Sequence, residues 1–159
     1  MTRNTSLLPL ALATALAFGG CAKSTPATAP APDAGQAFLA QNAKAADMHV
    51  TASGLQYRIL RSGPPTGAHP TTDGEVKVNY EGKLLDGTVF DSSYARGMPA
   101  VLEVERLIAG WQEALKLMRP GDIWLVYLPP QLAYGDQDSG PIPAGSVLVF
   151  RLELIAVGS

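Results

Sequence analysis

The sequence predicts an α+β domain, with four to six antiparallel strands curled over one amphipathic helix. Three observations carry that prediction. Apolar residues alternate with polar ones over most of residues 51–159. One stretch in that region switches to a period of 3.6. The dipeptide Asp86-Gly87 joins two alternating stretches by a turn too short for a crossover.

The elements follow in order. Leu55, Tyr57 and Ile59 alternate with Gln56 and Arg58, an amphipathic strand expected to bury the first set. Residues 62–74 hold three prolines and three glycines and read as a loop. Val76, Val78 and Tyr80 then share one face, with Glu75, Lys77, Asn79 and Glu81 on the other. Asp86-Gly87 predicts a type I′ hairpin between residues 83–85 and 88–90. Leu102 and Val104 alternate with Glu103 and Glu105 in a further short strand.

The helical stretch places Ile108, Trp111, Leu115 and Met118 on one stripe, with Gln112, Glu113, Lys116 and Arg119 opposite. Arg119-Pro120-Gly121 ends it. Residues 123–128 form a continuous apolar run, expected as a strand buried on both faces. Leu148, Phe150, Leu152 and Leu154 share one face of the last strand.

The N-terminal fifty residues have a different composition. Arg3 precedes an apolar run over residues 7–18, too short for a membrane span, and Gly19-Gly20 follow. This reads as a secretory signal over residues 1–20. Cys21 stands directly after the small pair and resembles the acylated first residue of a mature bacterial lipoprotein, with Phe18 where that pattern has Leu. An ordinary signal peptide that leaves a free thiol is the alternative. Ala22, rather than Asp, resembles an outer-membrane address. Residues 21–50 are expected to be an Ala/Pro-rich tether, with a short marginal helix over 36–46. Residues 51–159 are the predicted domain.

Composition narrows the function. The chain has 159 residues and a net charge of −2, with no basic block, so nucleic acid is not an expected partner. Its single cysteine excludes an internal disulfide. His49 and His69 fall in tether and loop, so neither a metal nor a cofactor is expected. Pattern alone reads Tyr80, Phe90, Trp111 and Phe150 as core aromatics, Tyr94 as loop packing, and Asp136 and Asp138 as solvated loop charges. Asp91 reads as a turn carboxylate or as a buried one paired with Arg96.

Seven motifs in order add a family resemblance. They are Thr72-Asp73-Gly74, Val78-Asn79-Tyr80-Glu81-Gly82, Asp86-Gly87-Thr88-Val89-Phe90-Asp91-Ser92-Ser93, Ile108-Ala109-Gly110-Trp111, Leu132-Ala133-Tyr134-Gly135, Ile142-Pro143 and Leu148-Val149-Phe150. Together they resemble the FKBP-type peptidyl-prolyl cis-trans isomerases over residues 73–156. Ser53-Gly54-Leu55-Gln56-Tyr57 is similar to the lead-in of the periplasmic and virulence-potentiator members.

The resemblance implies a five- or six-stranded antiparallel sheet curled on one helix, and an aromatic pocket for a proline ring. It implies that Asp91, Tyr134 and Ile108 act in catalysis, as carboxylate, hydroxyl donor and backbone N–H donor. Tyr80, Phe90, Arg96, Leu102, Leu107, Trp111, Ile142 and Phe150 would bind substrate, with Arg96 paired to Asp91 and Trp111 as the floor. Leu102 departs from the family's usual aromatic. The expected partners are proline-containing extracytoplasmic polypeptides and a possible macrolide ligand. The expected location is the outer membrane, facing the periplasm, through a lipid at Cys21. The missing helical dimerisation region suggests a monomer. A non-catalytic peptide-binding or chaperone module is the second reading, motivated by Leu102.

Overall fold

The structure, a computed structural model, describes residues 32–158. The expected signal over 1–20, Cys21 and residues 22–31 lie outside them. Helix α1 is Pro32–Asn42, followed by strands β1 His49–Val50, β2 Gln56–Arg61, β3 Glu75–Leu84, β4 Val89–Ser92 and β5 Ala100–Glu103. Helix α2 is Ala109–Leu117, and strands β6 Ile123–Leu128 and β7 Leu148–Val157 complete the chain. Short 3₁₀ turns occur at Val104–Arg106 and Pro130–Leu132.

The strands form one antiparallel sheet in the order β1-β2-β6-β7-β3-β4, with β5 also pairing to β3. β3 and β7 are its long central pair, running from Val76 opposite Val157 to Leu84 opposite Leu148. Because side chains alternate along a strand, this register fixes one apolar face. Val76, Val78, Tyr80 and Leu84 of β3 are buried there beside Leu148, Phe150, Leu152 and Leu154 of β7. Trp124, Val126 and Leu128 of β6 continue it.

Helix α2 covers this concave face with Trp111, Ala114 and Leu115, and Met118 is buried just past its end. Each such large side chain contributes roughly 1.5–3 kcal/mol by leaving water. The helix starts so close to β6 that a Cβ on Gly110 would lie 2.4 Å from Leu128 Cδ2. Ser53 Oγ donates to Glu113 Oε2 at 2.7 Å and ties the helix to the segment before β2.

Three expectations are corrected. The hairpin is not type I′, because only Gly87, and not Asp86, has positive φ. Gly87 N–H donates to Leu84 O at 3.0 Å, and Leu84 N–H donates to Thr88 O at 2.9 Å. The Asp86 carboxylate accepts the Thr88 N–H at 2.8 Å. This is the three-residue loop closed by a left-handed glycine, a form that leaves Asp86 at ordinary φ.

The second correction is the N-terminal segment. The helix begins at Pro32 rather than 36, and residues 35–50 pack against the domain at Gly35, Leu39 and β1 rather than trailing from it. Leu39 is buried, and the Phe38 ring lies 5.8 Å from that of Tyr127. The Gln56 side chain donates to Leu39 O and accepts from Asn42 Nδ2, both at 2.9 Å. His49 stacks on Tyr57 at 4.9 Å, and Tyr57 on Trp124 at 4.2 Å. An isolated helix this short is marginal, so packing and these bonds are what stabilise it.

The third correction follows from the second. Gln56, expected outside, is 5% exposed because α1 covers it, while Ile59, expected inside, is 40% exposed at the sheet's end. On β6 the second face is only half covered, at Leu125 and Tyr127.

Candidate active site

The curl of the sheet gathers side chains from β3, β4, β5, β7, the start of α2 and the loop before β7 around one cleft of about 460 Å³. Trp111 forms its floor from the first turn of α2. The rings of Tyr80 and Phe150 meet Trp111 edge-on at 5.0 and 5.3 Å, and Phe90 meets Phe150 edge-on at 5.6 Å. Edge-to-face contacts suit the ring quadrupoles and hold these walls in fixed orientations. Gly82 makes room for them, since a Cβ there would lie 2.6 Å from Phe90 and 2.7 Å from Phe150.

Leu102, Leu107, Ile108 and Ile142 complete the apolar lining, and Tyr134 stands half-exposed at the rim. Ile108 caps α2, and its backbone N–H has no acceptor among the described residues. The segment before it is held by Gln112, whose Nε2 donates to Leu107 O at 2.8 Å and Glu105 O at 3.1 Å. The indole N–H of Trp111 is also buried without an acceptor among the described residues.

One corner is polar. The Tyr80 hydroxyl donates to Asp91 Oδ2 at 2.5 Å. Arg96 bonds the other oxygen of Asp91 and donates to the Tyr80 hydroxyl at 2.9 Å, its guanidinium 5.4 Å from that ring's centroid. Partial burial works to raise the Asp91 pKa, but the bonds from Tyr80 and Arg96 outweigh it and hold the carboxyl below its ordinary value. Burial and the adjacent carboxylate push the Tyr80 hydroxyl up. At neutral pH the corner is therefore Tyr–OH, Asp⁻ and Arg⁺, with the carboxylate already engaged by two donors.

Ten of the eleven pocket residues singled out in the sequence line the cleft, and Arg96 reaches it through Asp91 and Tyr80. Arg106, Ser139, Gly140 and Pro141 also line it and carried no sequence signal of a site. The loop that brings the last three is self-braced. Ser139 and Ile142 exchange backbone bonds at 2.9 and 3.0 Å, and Gly145 N–H donates to Gly135 O at 2.8 Å. Asp138 is exposed, as expected of a solvated loop charge, and its carboxylate also braces the loop by accepting the Ala144 N–H at 2.7 Å.

A curled antiparallel sheet with this cleft against its helix defines the FKBP-like α+β class, and comparison with known proteins agrees. The family described as FKBP-type peptidyl-prolyl cis-trans isomerase matches residues 67–155. The domain amino-terminal to such isomerases matches residues 21–59. The chain is 50% identical over 123 residues to the peptidyl-prolyl cis-trans isomerase Mip of Coxiella burnetii, covering 77% of this chain and 53% of that one. It is 46% identical to the outer membrane protein MIP of Legionella longbeachae, covering 77% and 52%. The crystal structure of a peptidyl-prolyl cis-trans isomerase from Pseudomonas syringae superposes with a TM-score of 0.74 at 34% identity, covering 80% of this chain and 92% of that one.

The chain belongs to the FKBP-type peptidyl-prolyl cis-trans isomerase family. It spans about half the length of the curated relatives it matches.

Proposed function

We propose that this chain catalyses cis-trans isomerisation of X–Pro bonds in extracytoplasmic polypeptides. The observation that carries the reading is the cleft itself: an apolar aromatic box on the Trp111 floor, beside a carboxylate held by Tyr80 and Arg96. Such a site is suited to a reaction that needs shape and polarity but no nucleophile.

Rotation about an X–Pro bond crosses a barrier of roughly 18–20 kcal/mol because amide resonance is lost midway. The twisted amide is less charge-separated than the planar one, so a dry apolar pocket favours it relative to the ground state. The proline ring sits on Trp111 between Tyr80, Phe90 and Phe150, with Leu102 and Ile142 closing the sides. The free Ile108 N–H and the Tyr134 hydroxyl hold carbonyl oxygens, with Leu107 beside them, while the other end of the bond turns. Asp91, fixed by Arg96, supplies a preset dipole.

The reading extends to location. Cys21 carries a lipid that anchors the chain, as a monomer, to the outer membrane facing the periplasm; the signal-like segment before it and the naming of one relative as an outer membrane protein support this. A macrolide occupies the same cleft.

The test is acceleration of isomerisation in a proline-containing peptide, with and without macrolide, by the full chain and by its Asp91→Ala and Trp111→Ala variants. Acceleration that the macrolide blocks and the substitutions reduce is expected. A folded chain with no acceleration would refute the reading and leave a peptide-binding module. For the anchor, palmitate labelling that survives Cys21→Ser would count against it.

A further inference from the structure

The segment between β4 and β5 straddles the edge of the sheet, and its two sides do different things. Ser93 pins its start: its N–H donates to Tyr80 O at 2.9 Å, and its hydroxyl accepts from Tyr80 N–H at 2.9 Å. The chain then leaves the sheet and turns at Gly97, whose φ is 72° and whose N–H donates to Tyr94 O at 3.1 Å. Within this turn Tyr94 goes to the convex face. Arg96, two residues on, returns over Tyr80 at the pocket corner.

Tyr94 is held there by β7. Its hydroxyl donates to Glu153 Oε2 at 3.1 Å, and the Arg151 guanidinium stands 5.3 Å from its ring centroid. Glu153 is itself held from two other strands, by Arg61 of β2 at 3.2 Å and Asn79 of β3 at 3.4 Å. Burial and the Glu153 bond raise the Tyr94 hydroxyl pKa, so it stays a donor at neutral pH.

Arg96 needs such support. Its side chain is 46% exposed, and a long exposed side chain loses much rotamer entropy when fixed in one geometry. A backbone already immobilised lessens what remains to be ordered. We propose that Tyr94 is a positioning residue: anchored on Glu153 and Arg151, it fixes the turn that delivers Arg96 to Asp91, and so orients the pocket carboxylate from the opposite face of the sheet.

The first readout needs no catalysis: the Asp91 carboxyl titration followed by carbon NMR in the full chain. Tyr94→Phe keeps the ring under Arg151 and removes only the hydroxyl. It should move the Asp91 midpoint up toward the ordinary carboxylate value with little change in thermal midpoint. Glu153→Gln, which still accepts the hydroxyl, should resemble the unsubstituted chain, and Glu153→Ala should resemble Tyr94→Phe.

The second readout rests on the isomerase reading. Tyr94→Phe should lower kcat/KM roughly two- to tenfold, the span of one hydrogen bond's net effect. Added to Arg96→Gln it should cause no further loss, because both act through Asp91. An Asp91 midpoint unmoved by Tyr94→Phe, or additive losses, would make Tyr94 a packing residue and overturn the proposal. A chain with no activity at all would sink the isomerase reading, while the titration still decides the role of Tyr94.

Discussion

The two faces of the sheet are built by alternate residues of the same strands, yet different forces hold them. On β7, Leu148, Phe150, Leu152 and Leu154 point into a closed apolar layer, while Arg151 and Glu153 between them face out. The concave side is fixed by contact: edge-on rings at 5.0–5.6 Å, and glycines where no Cβ fits. The convex side is fixed by exchangeable polar bonds, among them Arg61–Glu153 at 3.2 Å and Lys83–Glu81 at 2.7 Å. A dense apolar layer has one arrangement and keeps a binding cleft rigid without ordered charges. Exposed ion pairs can be exchanged for water at little loss, so they tune what the apolar layer has already shaped.

Perturbing each face should therefore give effects of different size. The largest is expected for Trp111→Ala, which removes both core and pocket floor: about 3–5 kcal/mol of stability by denaturant unfolding, together with loss of peptide isomerisation. If the variant stayed as stable as the parent, the floor would not be part of the core. Gly82→Ala should follow at about 1–3 kcal/mol, because Phe90 and Phe150 must move aside. Its sharper readout is weakened ligand binding in the cleft, which a purely structural loss would not produce below the unfolding transition.

Gln56→Ala tests the place where α1 seals the convex face. The bonds from Gln56 to Leu39 and Asn42 lie beneath α1, and losing them should destabilise by about 1–3 kcal/mol. Amides of α1 should exchange faster with solvent, while those of α2 stay protected.

Smaller still is the acid dependence set by Asp91. Its folded pKa is lowered, so its contribution is fully present above the ordinary carboxylate value of 3.8 and is lost as pH falls through the folded value. The side chain is 42% exposed, so screening keeps the effect slight and salt-sensitive. Unfolding curves of the parent and Asp91→Asn should converge in acid and separate toward neutrality. Smallest is Lys83→Ala, expected within about 0.5 kcal/mol of the parent despite its close ion pair.

What could be read in advance follows the same division. The concave face was legible because alternation and 3.6-residue periodicity report burial directly: β3, β7 and α2 lie where Val76, Val78, Tyr80, the Leu148 series and the Trp111 stripe placed them. The convex face was not, because polar residues facing water carry no periodic signal of their partners. Gln56 stands at a polar position of its strand and is buried only because α1 covers it. Arg106 reaches the cleft from a 3₁₀ turn and residues 139–141 from a loop, whose paths no local pattern encodes.

The amino-acid sequence by itself pointed to the fold class, to the buried face of the long strands and, through ordered motifs, to most of the residues that line the cleft. Those properties follow from local spacing and from which side chains avoid water. Only the tertiary structure decided the hairpin's turn type, the docking of residues 35–50 and the Tyr94–Glu153 link to the corner holding Asp91. The last two depend on partners far apart in the chain, and a contact across 59 residues, as between Tyr94 and Glu153, exists only once the strands that carry it are aligned.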